Sequence, residues 1–158
     1  MPLDPSFVGR SYPPTPAYQV GREKVREFAA AVGDANPAYT DVEAARALGH
    51  PDVVAPPTFA IVVSMHAAQQ VVTDPALGLD YSRVVHGEQR FVYVRPIVAG
   101  DELTVVVTVE RIRSVAGNDI ITTRGDIATT EGEPVCTAYS TLVSRAPDPG
   151  AGPAEVFS

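Results

Sequence analysis

Few side chains in this sequence exchange a proton near neutral pH: three histidines, His50, His66 and His86, and a single cysteine, Cys136. General acid–base chemistry needs a group whose pKa lies near the working pH and a neighbour that orients it. His86 has a carboxylate close by, in His86-Gly87-Glu88-Gln89, and Glu88 is expected to pair with it only if a bulge offsets their alternation along the strand. It is either a chemical group or a structural hydrogen-bonding one. His66 lies among apolar residues at helical spacing and is expected to be a satisfied core histidine, while His50, between Gly49 and Pro51, reads as a loop residue. A different carboxylate stands in Gly33-Asp34-Ala35-Asn36-Pro37-Ala38-Tyr39. Sequences of this type form Asx turns or end helices, which is one reading of Asp34; the other is a vestigial reactive site. Tyr39, whose phenol ordinarily titrates near ~10, is either a packing residue or an acid standing where a base is wanted. The histidines are far apart and no His-x-x-x-His pair occurs, so neither a metal nor a cofactor is expected. One cysteine leaves no internal disulfide and points to a reducing cytosol.

The elements that must position these groups follow from periodicity. Val25, Phe28, Ala29 and Val32 predict a helix over 22–32, stopped by Gly33. A short helix is expected from Thr40, where Thr40-Asp41-Val42-Glu43 has the form of a capping box, to Gly49. A third is expected to open at Pro56-Pro57, where a missing N–H is tolerated, and to run about 16 residues, or about 24 Å. Phe59 to Val63, Ala67, Ala68, Val71 and Val72 make it apolar all round, the mark of a buried helix. A short strand is expected over 17–20. From Tyr81 the period changes to two: 89–94 alternates, 96–101 turns, and Leu103, Val105, Val107 and Val109 mark one face of a long strand. Ala116-Gly117-Asn118-Asp119 signals a hairpin, and strands over 120–129 and 135–143 follow. Helices first and antiparallel strands afterwards indicate an α+β protein. A long buried helix needs a sheet curled around it, which is a single hotdog domain over 5–145; the Pro/Gly-rich 146–158 is expected to be a disordered tail.

Composition bounds the partners. The chain has 158 residues, 45% hydrophobic and 20% charged, with a net charge of −7. An acidic surface disfavours nucleic acid and anionic membranes, although a local basic patch could still hold a phosphopantetheine. No signal-peptide pattern is expected in residues 1–10, and no apolar run reaches the ~18 residues of a bilayer span.

The Gly33-Asp34-Ala35-Asn36-Pro37-Ala38-Tyr39 stretch resembles the hydratase motif of MaoC-like (R)-specific enoyl hydratases and (3R)-hydroxyacyl dehydratases: Asp, any residue, Asn, Pro, any residue, His. His86-Gly87-Glu88-Gln89 and Arg95-Pro96-Ile97-Val98-Ala99-Gly100-Asp101 resemble the N-terminal MaoC-like dehydratase branch, including HadA-type subunits. The resemblance covers about residues 5–145 and implies a hotdog acting on an acyl-CoA or acyl-carrier-protein thioester. In such enzymes the motif's Asp and His handle the water while a backbone N–H at the start of the central helix polarises the thioester carbonyl.

Here Tyr39 stands in the histidine position, and Ala55-Pro56-Pro57 stands where active members read Ala-His-Gly. Proline has no N–H to donate, and each loss is expected to cost on the order of 10² or more in rate. The resemblance therefore implies a degenerate site at Asp34, Asn36, Tyr39 and Pro57. The chain is expected to bind substrate through a tunnel lined by Pro57, Thr58, Phe59, Val62 and Val63, as homodimer or as heterodimer with a catalytic hotdog. The alternatives are a homo-oligomeric hydratase using Asp34 with His86, and a non-catalytic acyl-thioester-binding dimer.

Overall fold

In the computed structural model, which describes residues 2–146, helix α1 (Arg22–Val32) has the bounds its spacing predicts. Val25 and Ala29 are buried, whereas Val32, expected on the same face, is 51% exposed in the last turn. Gly33 ends the helix at φ 74°, returning its N–H to the Ala29 and Ala30 carbonyls, a left-handed stop that costs glycine nothing sterically. The expected capping box is not what starts α2 (Val42–Ala47). Asp41 caps it, accepting the Glu43 N–H at 2.9 Å, because Thr40 is committed to closing the preceding 3-10 turn, Pro37–Tyr39, through its N–H to the Pro37 carbonyl.

The central helix α3 (Ala60–Val72) begins three residues later than Pro57. The second proline of the pair drives the first out of helical conformation. The chain then enters through tight i→i+3 bonds, Phe59 N–H to Pro56 O, Ile61 to Thr58 and Val62 to Phe59. Its inner stripe, Ala60, Val63, Ser64, Ala67 and Val71, is buried. Its outer face is not: Met65 is 57% exposed and His66 is exposed as well. The expectations of all-round burial and of a core histidine are both corrected, because a single copy of this chain covers one side of the helix only.

The sheet against which α3 lies has the order β1-β3-β4-β5-β2, antiparallel throughout: β1 (Tyr18–Gln19), β2 (Val84–Tyr93), β3 (Glu102–Val115), β4 (Asn118–Thr129) and β5 (Pro134–Ser144). Leu103, Val105, Val107 and Val109 are all buried on its inner face, as their alternation predicts. The lead-in covers the β3 edge. Gly9, Tyr12 and Thr15 donate their N–H groups to Val109, Val107 and Val105, which removes one exposed template for strand addition. The Tyr12 hydroxyl donates to Asp74 at 2.9 Å, tying this strap to the segment after α3; burial and that carboxylate push the phenol up to about 12. At the other edge β2 pairs only with β5 among the described residues. The chain thus forms the single α+β hotdog expected, with a curled sheet around one helix. Of the expected tail, only Ala146 falls inside the described residues.

The β3–β4 hairpin turns on Ala116 and Gly117 alone, at φ 50° and 80°. A two-residue hairpin requires two positive φ values to match the strand twist, and alanine resists that conformation while asparagine tolerates it. Ala116→Asn is expected to stabilise the fold by about 0.5–1 kcal/mol, read as a higher denaturant midpoint at unchanged slope. A lower midpoint would contradict the turn.

Candidate functional site

Each polar residue of the Asp34-x-Asn36-Pro37 stretch has a local structural task. The Asp34 N–H returns to the Ala29 carbonyl, completing the stop of α1, and its carboxylate accepts the Asn36 N–H at 3.2 Å. The Asn36 side chain in turn accepts the Ala38 N–H at 3.0 Å, with Pro37 opening the 3-10 turn that delivers Tyr39. Two successive Asx caps therefore place a buried phenol next to Asp34. Burial, and then the charge and hydrogen bonding of Asp34, push the Tyr39 phenol above its ordinary value. It is a neutral donor at physiological pH and cannot accept a proton.

The segment 53–57 runs beside this phenol, fixed by Val54 N–H to the Ala38 carbonyl and Ala55 N–H to the Ile97 carbonyl. Together they wall an open hollow of about 290 Å³ that includes Tyr39, Ala55, Pro57, Tyr93 and Arg95. Neither Pro56 nor Pro57 has an N–H to offer the hollow; Thr58 carries the first backbone donor after Ala55. The Pro57 carbonyl is itself engaged, accepting the Tyr93 hydroxyl at 2.5 Å. Burial holds the Tyr93 phenol protonated and pushes the Cys136 thiol beneath it up to about 11. Arg95 is held by a two-pronged pair with Asp101 (2.9 and 3.0 Å) and by Glu133 at 2.8 Å, so its charge braces the turn over 96–101.

His86 belongs elsewhere. A bulge at Gly87 breaks the β2–β5 register; a Cβ there would sit 3.3 Å from the Thr141 carbonyl oxygen. The expectation that a bulge would bring His86 and Glu88 together is corrected: residues two apart share a face in a regular strand, and the bulge separates them. Glu88 is registered against Thr141 on the outer face, while His86 and Gln89 both reach a cavity of about 190 Å³ between α3 and the sheet. There His86 Nε2 lies 3.3 Å from Ser140 Oγ. Asp34 lines neither space, so the chain alone does not bring Asp34 and His86 together.

The expected tunnel residues are dispersed. Pro57 borders the hollow, Phe59 is fully buried edge-on to Phe28 (ring centres 5.4 Å apart), and Val63 is core. Val62 faces an apolar groove with Phe28 and Met65, where His66 also sits. The cavity between α3 and the sheet uses instead the face of α3 that carries Ile61, Ser64 and Ala68, over the small residues Gly125 and Ala138. Two signals in the sequence could have pointed there: a glycine inside a strand, which leaves room for close approach, and a serine on the otherwise apolar inner stripe of the helix. Among the described residues no group of histidine, cysteine and carboxylate side chains could hold a metal ion, and no helix is long and apolar enough to cross a membrane.

With this geometry in hand, the relatives are informative. The family described as FAS1-like, dehydratase domain region, matches residues 6–138. The chain belongs to that family. A UPF0336 protein of Streptomyces coelicolor is 66% identical over 146 residues, 92% of this chain and 97% of the relative. Another, from Thermobifida fusca, is 48% identical over 149 residues, 94% and 98% of the two chains. Among solved structures, a MaoC-like dehydratase superposes with a TM-score of 0.83 at 40% identity, over 90% of this chain and 43% of that one. The HadBC (3R-hydroxyacyl-ACP dehydratase) complex from Mycobacterium tuberculosis gives 0.78 at 34% identity, over 90% of this chain and 99% of that one. The FAS1-like dehydratase domain in this chain is thus a MaoC-like hotdog with a hydratase/dehydratase heritage.

The raised Cys136 pKa has a direct readout. A buried thiol with a pKa of about 11 holds little thiolate. Native protein at pH 8 is expected to react with a disulfide reagent at least about 100-fold more slowly than urea-unfolded protein. Equal rates would contradict the burial.

Proposed function

We propose that this chain is the substrate-binding subunit of a (3R)-hydroxyacyl-thioester dehydratase/enoyl hydratase of fatty-acid-type metabolism, HadA-like in role. In this reading the acid–base groups come from a partner hotdog with an intact Asp-x-Asn-Pro-x-His. The observation that carries it is the neutral Tyr39 phenol facing Asp34, in the position where a proton acceptor is required. The proline pair beside the same hollow supports it, since the backbone donor for the thioester oxygen is missing at Pro57.

Two uncovered surfaces support a hotdog partner: the free edge of β2, with Val85 and Val92 exposed, and the outer face of α3 around Met65. A strand added to that edge would pair its free backbone groups, and a second helix would cover Met65. The HadBC neighbour, a complex of hotdog chains, has a matching logic. In the joint site the partner's base removes the proton from the carbon next to the thioester. The hydroxyl on the following carbon takes up a proton from the partner's acid group and leaves as water as the C–O bond breaks and the C=C bond forms, and hydration is the reverse. The acyl chain lies in the cavity between α3 and the sheet of this subunit, and the thioester belongs to CoA or to an acyl carrier protein.

Purified alone, the chain is expected to hydrate crotonyl-CoA and 2-octenoyl-CoA no faster than buffer, followed by loss of enoyl-thioester absorbance. Co-expressed with a catalytic hotdog, it is expected to form an active complex. In that complex Asp34→Asn changes kcat/KM by less than about threefold, whereas the same change in the partner's motif removes on the order of 10²–10⁴. Turnover by the isolated chain that is lost on His86→Ala would sink the proposal in favour of a self-sufficient hydratase.

A further inference from the structure

The cavity between α3 and the sheet is apolar along most of its wall, through Ile61, Ala68, Val72, Val107 and Leu142. Two nearly buried hydroxyls interrupt it. Ser64, on the buried stripe of α3, is 8% exposed, and Thr123, on β4, is 6% exposed; both line the cavity. Neither hydroxyl hydrogen-bonds a protein group among the described residues, although its neighbour Thr122, on the other face of β4, meets Thr141 at 3.2 Å. No fully enclosed side-chain oxygen or nitrogen lacks a partner among those residues, so the Ser64 and Thr123 oxygens open onto the cavity itself. Gln89 and the His86–Ser140 pair add further polar groups to the same wall.

A plain hydrocarbon chain filling this space would strip water from both hydroxyls and return nothing, which is the costly half of hydrogen-bond energetics. A chain carrying an oxygen would satisfy both: serine and threonine hydroxyls each donate and accept. Size agrees. A cavity of about 150 Å³ holds a benzene ring, so one of about 190 Å³ holds on the order of seven or eight carbon atoms.

We infer that the substrates of this subunit are medium-length acyl thioesters whose chain bears a hydroxyl or keto oxygen beyond the reacting carbons, recognised by Ser64 and Thr123. This rests on the acyl-binding role proposed above. A site built to hydrogen-bond a hydroxyl rejects the analogue lacking it far more strongly than an apolar pocket rejects a missing methylene. Specificity thus falls on the oxygen and its position, more than on chain length alone.

The test is calorimetric titration of the full chain with octanoyl-CoA and with a series of monohydroxy-octanoyl-CoA ligands bearing the hydroxyl at carbons 4 to 8. One position, or two adjacent ones, is expected to bind at least about tenfold tighter than octanoyl-CoA. Ser64→Ala and Thr123→Val should each reduce that preference, and together abolish it while leaving octanoyl-CoA binding the same or tighter. Ser64→Ala keeps a good helix former in place, so it reports on recognition rather than folding. Equal affinity across the series, or tightest binding of plain octanoyl-CoA, overturns the inference and leaves the acyl-binding role standing. No binding of any member overturns both.

Discussion

The packing of one side of α3 onto the concave face of the sheet is the constraint from which the rest of the molecule follows. The buried stripe is made of small and β-branched residues, Ala60, Val63, Ser64, Ala67 and Val71. Valine burial contributes about 1.5–3 kcal/mol per side chain, while alanine and serine let the helix approach the sheet closely. Where the sheet also turns small, at Gly125 and Ala138, opposing surfaces no longer fill the gap and a cavity remains. A Cβ added at Gly125 would already press on Val105 at 3.3 Å. The empty space and the close packing are two results of one choice of side-chain size.

That choice separates the cavity from the Asp34–Tyr39 stretch, which sits at the far end of α1 and is held together by backbone caps. Its polar atoms are occupied by N–H groups of their own turn, and the phenol beside them is protonated. On the proposed reading, the motif survives here because the turn still needs it. Asn36 and Pro37 shape the entry to Tyr39, and the Ala38 carbonyl receives the Val54 N–H that brings the proline pair alongside. Loss of the base need not have cost the fold anything.

Much of the architecture was legible in the sequence. The α1 bounds and the buried alternation of β3 follow from local spacing and are found where expected, while the hairpin signal over Ala116-Gly117-Asn118-Asp119 closes on its first two residues, with Asn118 and Asp119 already in β4. Errors arose where two local rules competed for one residue. Thr40 could not cap α2 because it was already closing the preceding turn, and the proline pair could not start α3 because Pro57 holds Pro56 out of helical conformation. The exposure of Met65 and His66 was hidden for a different reason: an apolar pattern says that a face is to be covered, and not by which chain. The cavity was the least legible feature. Ser64, Thr123 and Gln89 come from three elements, and the bulge at Gly87 decides that Gln89 and His86, three residues apart, share a face while Glu88 does not.

The central claim is spatial: the acyl chain belongs between α3 and the sheet of this subunit, with its reacting carbons presented outward to a partner's base. A crystal structure of the chain, assembled with a catalytic hotdog and soaked with a non-hydrolysable 2-octenoyl-CoA analogue, tests it most directly. The account predicts continuous acyl density past Ser64 toward Thr123, with the carbonyl next to the partner's Asp and His. Density that places the thioester against Asp34 and Tyr39, with the α3 cavity unfilled, would contradict it.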